Sequence, residues 1–127
     1  MAEQRKIIVV DDDKAVRDSL KFSLELDGLQ VHACDSAKSL LDYPGLAEAD
    51  CLVVDYRMAE TNGLDLRKEL AARRVTAPAI LITAPVNNEL RRRAKAAGFF
   101  MVLEKPLLDD VLLSNVHAAI DNHRHAP

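Results

Sequence analysis

Four apolar residues in a row, Ile7-Ile8-Val9-Val10, run straight into Asp11-Asp12-Asp13. A continuous apolar run of that length reads as a strand buried on both faces, the pattern of a parallel sheet rather than the alternation of a half-solvated one. The carboxylates then fall at the strand's C-terminal end, where open α/β sheets place their ligands. Three acids so close together repel unless a cation or solvent lies between them. A hard divalent ion such as Mg²⁺, bound by a few carboxylates plus water, meets that need. The competing reading is an exposed acidic turn capping the next helix.

The pattern recurs. Cys51-Leu52-Val53-Val54 ends in Asp55, and Ala79-Ile80-Leu81-Ile82 ends in Thr83-Ala84. The run Phe99 to Leu103 leads through Glu104 to Lys105-Pro106. In a parallel sheet all strand C-termini share one edge, so acids, a hydroxyl and an amine converge in a single crevice.

Strand and helix patterns alternate five times, which predicts right-handed crossovers with helices on both faces of a parallel sheet. The first helix is expected from Lys14 to about Asp27, with Val16, Leu20, Leu24 and Phe22 facing the sheet and Gly28 ending it. Leu29 to Cys34 reads as the second strand, and Asp35 or Ser36 caps a short helix that stops before Pro44. A long loop, Tyr56 to Asn62, follows Asp55. Gly63 closes it, and a helix runs to about Arg73 on Leu64, Leu66 and Leu70. Thr76-Ala77-Pro78 leads into the next strand, and Pro85 precedes an Arg-rich helix over roughly Asn88 to Ala97, ended by Gly98. The last helix, about Leu108 to His123, presents Val111, Leu112, Val116 and Ile120.

The bulk numbers narrow the classes. At 127 residues the chain is expected to form one domain, with a core of about 5–123, and 49% hydrophobic residues argue against disorder. A net charge of −3 gives no reason to expect nucleic acid or a membrane surface as a partner. The apolar runs are too short to cross a bilayer, and Met1-Ala2-Glu3-Gln4 opens no signal-peptide pattern. Cys34 and Cys51 sit in apolar runs and read as buried free thiols of a cytoplasmic protein.

Taken together, Asp11, Asp12, Asp55, Thr83 and Lys105-Pro106, in this order and spacing, resemble the receiver domain of a two-component response regulator over almost the whole chain. The resemblance implies a flavodoxin-like (βα)5 fold with strand order 2-1-3-4-5. It places Asp55 as the acceptor of a phosphoryl group from a histidine kinase or phosphotransferase. It casts Asp12 as a direct Mg²⁺ ligand, Asp11 as one acting largely through water, and the Arg57 backbone carbonyl as a further ligand. Thr83 matches the switch hydroxyl, and Lys105, before an expected cis Pro106, the family's lysine. The chemistry follows: an ionised Asp55 attacks phosphorus while Mg²⁺ and Lys105 meet the spreading charge. New acceptor oxygens then draw Thr83 and the Ala84 amide inward, and small Ala84 leaves room for the donor. Such a domain signals without being an enzyme. Its expected output is a protein contact on the side built by the fourth helix, fifth strand and fifth helix, made as a monomer or weak dimer.

There are departures. Val102 stands where the family usually carries a switching Tyr or Phe, so output through an aromatic swing is not expected. Phe99 and Phe100 read as core, Ala59 replaces a frequent proline, and Leu107 replaces a frequent aromatic. Asp13 is expected to cap the first helix rather than join the metal site. Arg91-Arg92-Arg93 with Arg57 and Lys95 reads first as a solvated surface, second as a docking patch for an acidic partner. His117, His123 and His125 show no metal-ligand arrangement. No output module follows, so the chain is expected to be either a stand-alone receiver or part of a longer regulator.

Two other readings remain open at this point. The D-x-D of Asp11 and Asp13 suits a small Mg²⁺-dependent phosphohydrolase with an aspartyl-phosphate on Asp11, although Ala15 departs from that motif and no cap domain fits. A flavodoxin would need a Gly- and hydroxyl-rich phosphate loop, which three acids would repel.

Overall fold

The computed structural model describes residues 4–124. Five strands, β1 (Lys6–Val10), β2 (Gln30–Cys34), β3 (Cys51–Asp55), β4 (Ala79–Thr83) and β5 (Met101–Glu104), form one parallel sheet in the order β2-β1-β3-β4-β5. Five helices connect and cover them: α1 (Lys14–Leu26), α2 (Ala37–Leu41), α3 (Gly63–Ala72), α4 (Asn88–Ala97) and α5 (Asp109–Arg124). This is the flavodoxin-like order expected.

The alternation of side chains along each strand divides the core in two. Ile7, Val9, Val53, Ile80 and Ile82 point to the face covered by Leu20 and Leu24 of α1 and Leu112, Val116 and Ile120 of α5. Their neighbours Ile8, Val10, Leu52, Val54 and Leu81 point the other way, against Leu40 of α2, Leu64, Leu66 and Leu70 of α3, and Leu90 and Ala94 of α4. Both faces of the central strands are covered, which is why β1, β3 and β4 carry uninterrupted apolar runs, whereas Gln30 and His32 of edge strand β2 are exposed. Phe99 is buried and Phe100 half-buried, so both serve the core.

Side chains stop the helices from fraying. Asp13, Ser36, Asn62 and Asn87 accept from backbone N–H groups of the first turns of α1 to α4. Gly28 and Gly98 follow α1 and α4 with φ of 87° and 100°, a region costly for any residue with a Cβ.

Two expected core positions are not core. Phe22 is 65% exposed and Val111 39% exposed. Phe22 lies about 200° round the α1 axis from Leu20, at 100° per residue, so it cannot share the stripe of Leu20 and Leu24. Val111 immediately precedes Leu112, which takes the inward position. Smaller differences concern ends: β2 begins at Gln30, β5 at Met101, and Arg73 is the C-cap of α3 rather than its last residue. Cys34 and Cys51 are free and buried, with burial pushing their thiols up to about 11 and about 12.

Candidate phosphoacceptor site

Register decides what meets at the C-terminal edge of the sheet. Val10 pairs with Val54, so Asp11 and Asp55, each one residue on, emerge side by side. Asp55 pairs with Ile82, and Thr83 with Glu104, which brings Thr83 and Lys105 up on the other flank. A hydrogen bond from the Lys105 N–H to the Thr83 carbonyl (2.7 Å) fixes the start of the β5–α5 loop. Both Lys105-Pro106, as expected, and Ala84-Pro85 are cis.

The resulting cleft, of about 400 Å³, is lined by Asp11, Asp12, Asp13, Asp55, Thr83 and Lys105 together with Arg57, Met58, Ala59 and Ala84. Carboxylate oxygens of Asp11, Asp12 and Asp55 all lie within 4.8 Å of one another. Asp11 and Asp55 are buried, while Asp12 is exposed. The Lys105 ammonium sits between the two buried acids, 3.2 Å from Asp55 Oδ1 and 3.3 Å from Asp11 Oδ2.

These contacts set the ionisation. Burial, then the Asp11 charge, raise the pKa of Asp55, and Lys105 opposes them without cancelling them. Burial disfavours the charged form of Lys105, yet Asp11 and Asp55 together outweigh it and hold the amine protonated to higher pH. The site therefore contains a cluster of hard oxygen donors that a single lysine leaves undercompensated. Those residues fit a small divalent cation such as Mg²⁺, which takes oxygen ligands and keeps several waters.

Every site residue expected from the sequence lines this cleft except Val102, which pairs with Leu81, two residues before Thr83, and is buried in the core between the sheet and α2–α4. Asp13 takes the capping role: its Oδ1 accepts from Ala15 N (2.9 Å) and Val16 N (3.3 Å). Arg91, Arg92, Arg93 and Lys95 are all exposed on α4, and Arg57 is exposed in the loop after β3. Arg92 pairs with Glu89. His117 pairs with Asp27 at 2.6 Å, His123 is exposed, and His125 lies outside the described residues.

The sequence reading missed Arg17. Its Nη1 donates to the Asp11 carbonyl (2.9 Å), while the Asp13 N–H donates to Asp11 Oδ1 (2.9 Å), so the metal-side acid is braced from behind. Its place one helical turn beyond Asp13 was the available signal, since side chains on a first turn lean back toward the N-terminus.

Comparisons with known proteins agree with this geometry. The profile of the response regulator receiver domain matches residues 7–117. The transcriptional regulatory protein FixJ of Azorhizobium caulinodans is 38% identical over 120 residues, covering 94% of this chain and 57% of FixJ. The transcriptional regulatory protein TdiR of Thauera aromatica is 36% identical over 118 residues, covering 93% of this chain and 52% of TdiR. The chain thus spans about half the length of these curated relatives. A CheY-like receiver domain from Methanospirillum hungatei superposes with a TM-score of 0.87 at 23% identity, covering 98% of this chain and 100% of that one, a likeness of fold.

Proposed function

This chain belongs to the response regulator receiver domain family of signalling phosphoacceptor domains, and from that premise we propose that Asp55 accepts a phosphoryl group from a phosphohistidine of a histidine kinase or phosphotransferase. The observation that supports this most is the meeting of three carboxylates within 4.8 Å with an ammonium 3.2 Å from the Asp55 carboxylate.

In this reading an Asp55 oxygen attacks phosphorus in line, the P–N bond breaks, and the imidazole leaves with a proton. Asp11, Asp12, Asp55 and the Arg57 carbonyl would hold Mg²⁺, which when bound supplies positive charge against the carboxylates and the transferring phosphoryl oxygens. Lys105 is already placed to follow that charge from Asp55 Oδ1 onto a phosphoryl oxygen. Thr83 and the Ala84 N–H then meet the new acceptors, and the loop leading to α4 moves with them. Hydrolysis of the acyl phosphate by water resets the domain, promoted by the same cations. We read residues 5–123 as one cytoplasmic receiver domain, monomeric or weakly dimeric, whose phosphorylation alters contacts of the α4–β5–α5 side with a downstream protein rather than directly with nucleic acid or membrane. Among the described residues no helix is long and apolar enough to cross a membrane.

The test is mass spectrometry after incubation with acetyl phosphate and Mg²⁺. One phosphoryl group on Asp55, lost in Asp55→Asn, is the expected result. Label on Asp11 with rapid turnover of phosphate esters would replace this reading with the phosphohydrolase, which family membership does not favour.

A further inference from the structure

Of the carboxylates that meet in the cleft, Asp12 is the least held by its own side chain. Asp11 is buried, with the Asp13 N–H donating to Oδ1 (2.9 Å) and Lys105 meeting Oδ2 (3.3 Å). Asp55 is buried and meets Lys105 through Oδ1 (3.2 Å). Asp12 is exposed, and among the described residues no hydrogen bond or ion pair holds its carboxylate. Its place within 4.8 Å of two other acids, against their repulsion, is therefore set by the backbone that carries it. That backbone is tied down at the peptide between Asp11 and Asp12. Arg17, half-buried on α1, donates from Nη1 to the Asp11 carbonyl at 2.9 Å. A peptide is planar, so fixing its carbonyl also fixes its nitrogen, which belongs to Asp12. Arg17 itself is not among the residues that line the cleft.

We infer that Arg17 is a positioning residue for the cation: through the Asp11–Asp12 peptide it holds the Asp12 carboxylate beside those of Asp11 and Asp55, where Mg²⁺ would bind. The role rests on the proposed phosphoacceptor site and adds a residue that touches neither the phosphoryl group nor the metal. It also has a sign of its own. A guanidinium acting only as a nearby charge repels the cation, so its loss tightens Mg²⁺ binding. A guanidinium that orients a ligand does the reverse, and its loss weakens binding.

The experiment compares wild type with Arg17→Met and Arg17→Gln, which lose the guanidinium, and Arg17→Lys, which keeps the charge without the planar fork. Mg²⁺ affinity, read from the rise in Tm on titration, is expected to fall about tenfold in the Met and Gln variants, the low end for groups that orient metal ligands. The Lys variant falls less, because an ammonium still donates but without the fixed geometry. In Mg²⁺-free protein the Asp12 amide resonance should move in the Met variant, since the lost hydrogen bond polarises that peptide. Labelling of Asp55 by acetyl phosphate should slow at limiting Mg²⁺ and recover at saturating Mg²⁺, with the acetyl phosphate concentration required unchanged. Either neutral variant suffices should the other fail to fold. Mg²⁺ affinity that is unchanged or tighter in a folded neutral variant overturns the inference, as does a rate loss that persists at saturating Mg²⁺. Absence of Mg²⁺ binding or of Asp55 label in wild type would instead sink the phosphoacceptor reading beneath it.

Discussion

As the proposed nucleophile Asp55 must be ionised, yet its surroundings resist ionisation. Burial and the Asp11 carboxylate raise its pKa, and the ammonium of Lys105 offsets only part of that. A group whose pKa is higher folded than unfolded binds protons more tightly in the native state, so stability falls as pH climbs from the ordinary aspartate value to the raised one. Above that window the full penalty is present, and below it the penalty is absent. Asp55→Asn removes the charge with little change of shape. It is therefore expected to raise Tm at pH 7 in the absence of Mg²⁺. The gain should vanish near pH 3, and Mg²⁺ should stabilise wild type more than the variant. Calorimetry at the two pH values checks this, and a variant less stable than wild type at pH 7 contradicts it. Lys105 works in the opposite sense. Its raised pKa means that its stabilising contribution is present below the ordinary lysine value and is lost as pH rises through the raised one.

At the scale of elements, the loop between β3 and α3 shows how backbone packing serves chemistry. It turns back so closely that a Cβ on Gly63 would lie 2.6 Å from Leu81 Cδ1, 3.0 Å from the Asp55 carbonyl oxygen and 3.2 Å from Tyr56 Cα. Backbone on one side cannot yield, so Gly63→Ala should destabilise the domain by about 1–3 kcal/mol and shift the Asp55–Arg57 segment. Chemical denaturation measures the first effect, and a fall in Mg²⁺ affinity reports the second; wild-type values for both would mean that the loop relaxes freely. The need for Gly63 was only half legible in the sequence, where it reads as a loop closer and not as a contact with Leu81. The central strands were legible because both their faces are buried and their apolar runs are unbroken, and Gly28, Gly98 and Asp13 announced their helix ends by type. Phe22 misled because a large apolar residue in an amphipathic helix is read as inward unless its angle is weighed against Leu20 and Leu24. The distances from Lys105 to Asp11 and Asp55 could not be read at all, since they depend on strand register across 94 and 50 residues of chain. A list of converging side chains was available, but their mutual ionisation was not.

For the whole molecule, phosphorylation of Asp55 as proposed would have to reach the surface without an aromatic at position 102. Val102 is 8% exposed, packed into the core between the sheet and α2–α4, and a β-branched side chain there has one stiff torsion and no long lever to swing. Thr83 offers a shorter route. It is buried at the head of β4, its carbonyl is tied to Lys105 N, and four residues on Asn87 caps α4 through Leu90 N at 2.8 Å. A pull on the Thr83 hydroxyl therefore acts directly on the segment that enters α4, while β5 is moved through the same hydrogen bond. Beryllofluoride with Mg²⁺ should accordingly shift amide resonances from Ala84 to Leu90 in the wild-type domain. Thr83→Ala should retain beryllofluoride binding but lose most of those shifts, because the hydroxyl is the part that contacts the new oxygens. Val102→Ala should keep them while costing about 1–2 kcal/mol of stability for the methyl groups removed from the core. If the two variants behave the other way round, the signal runs through the β5 core rather than the head of β4.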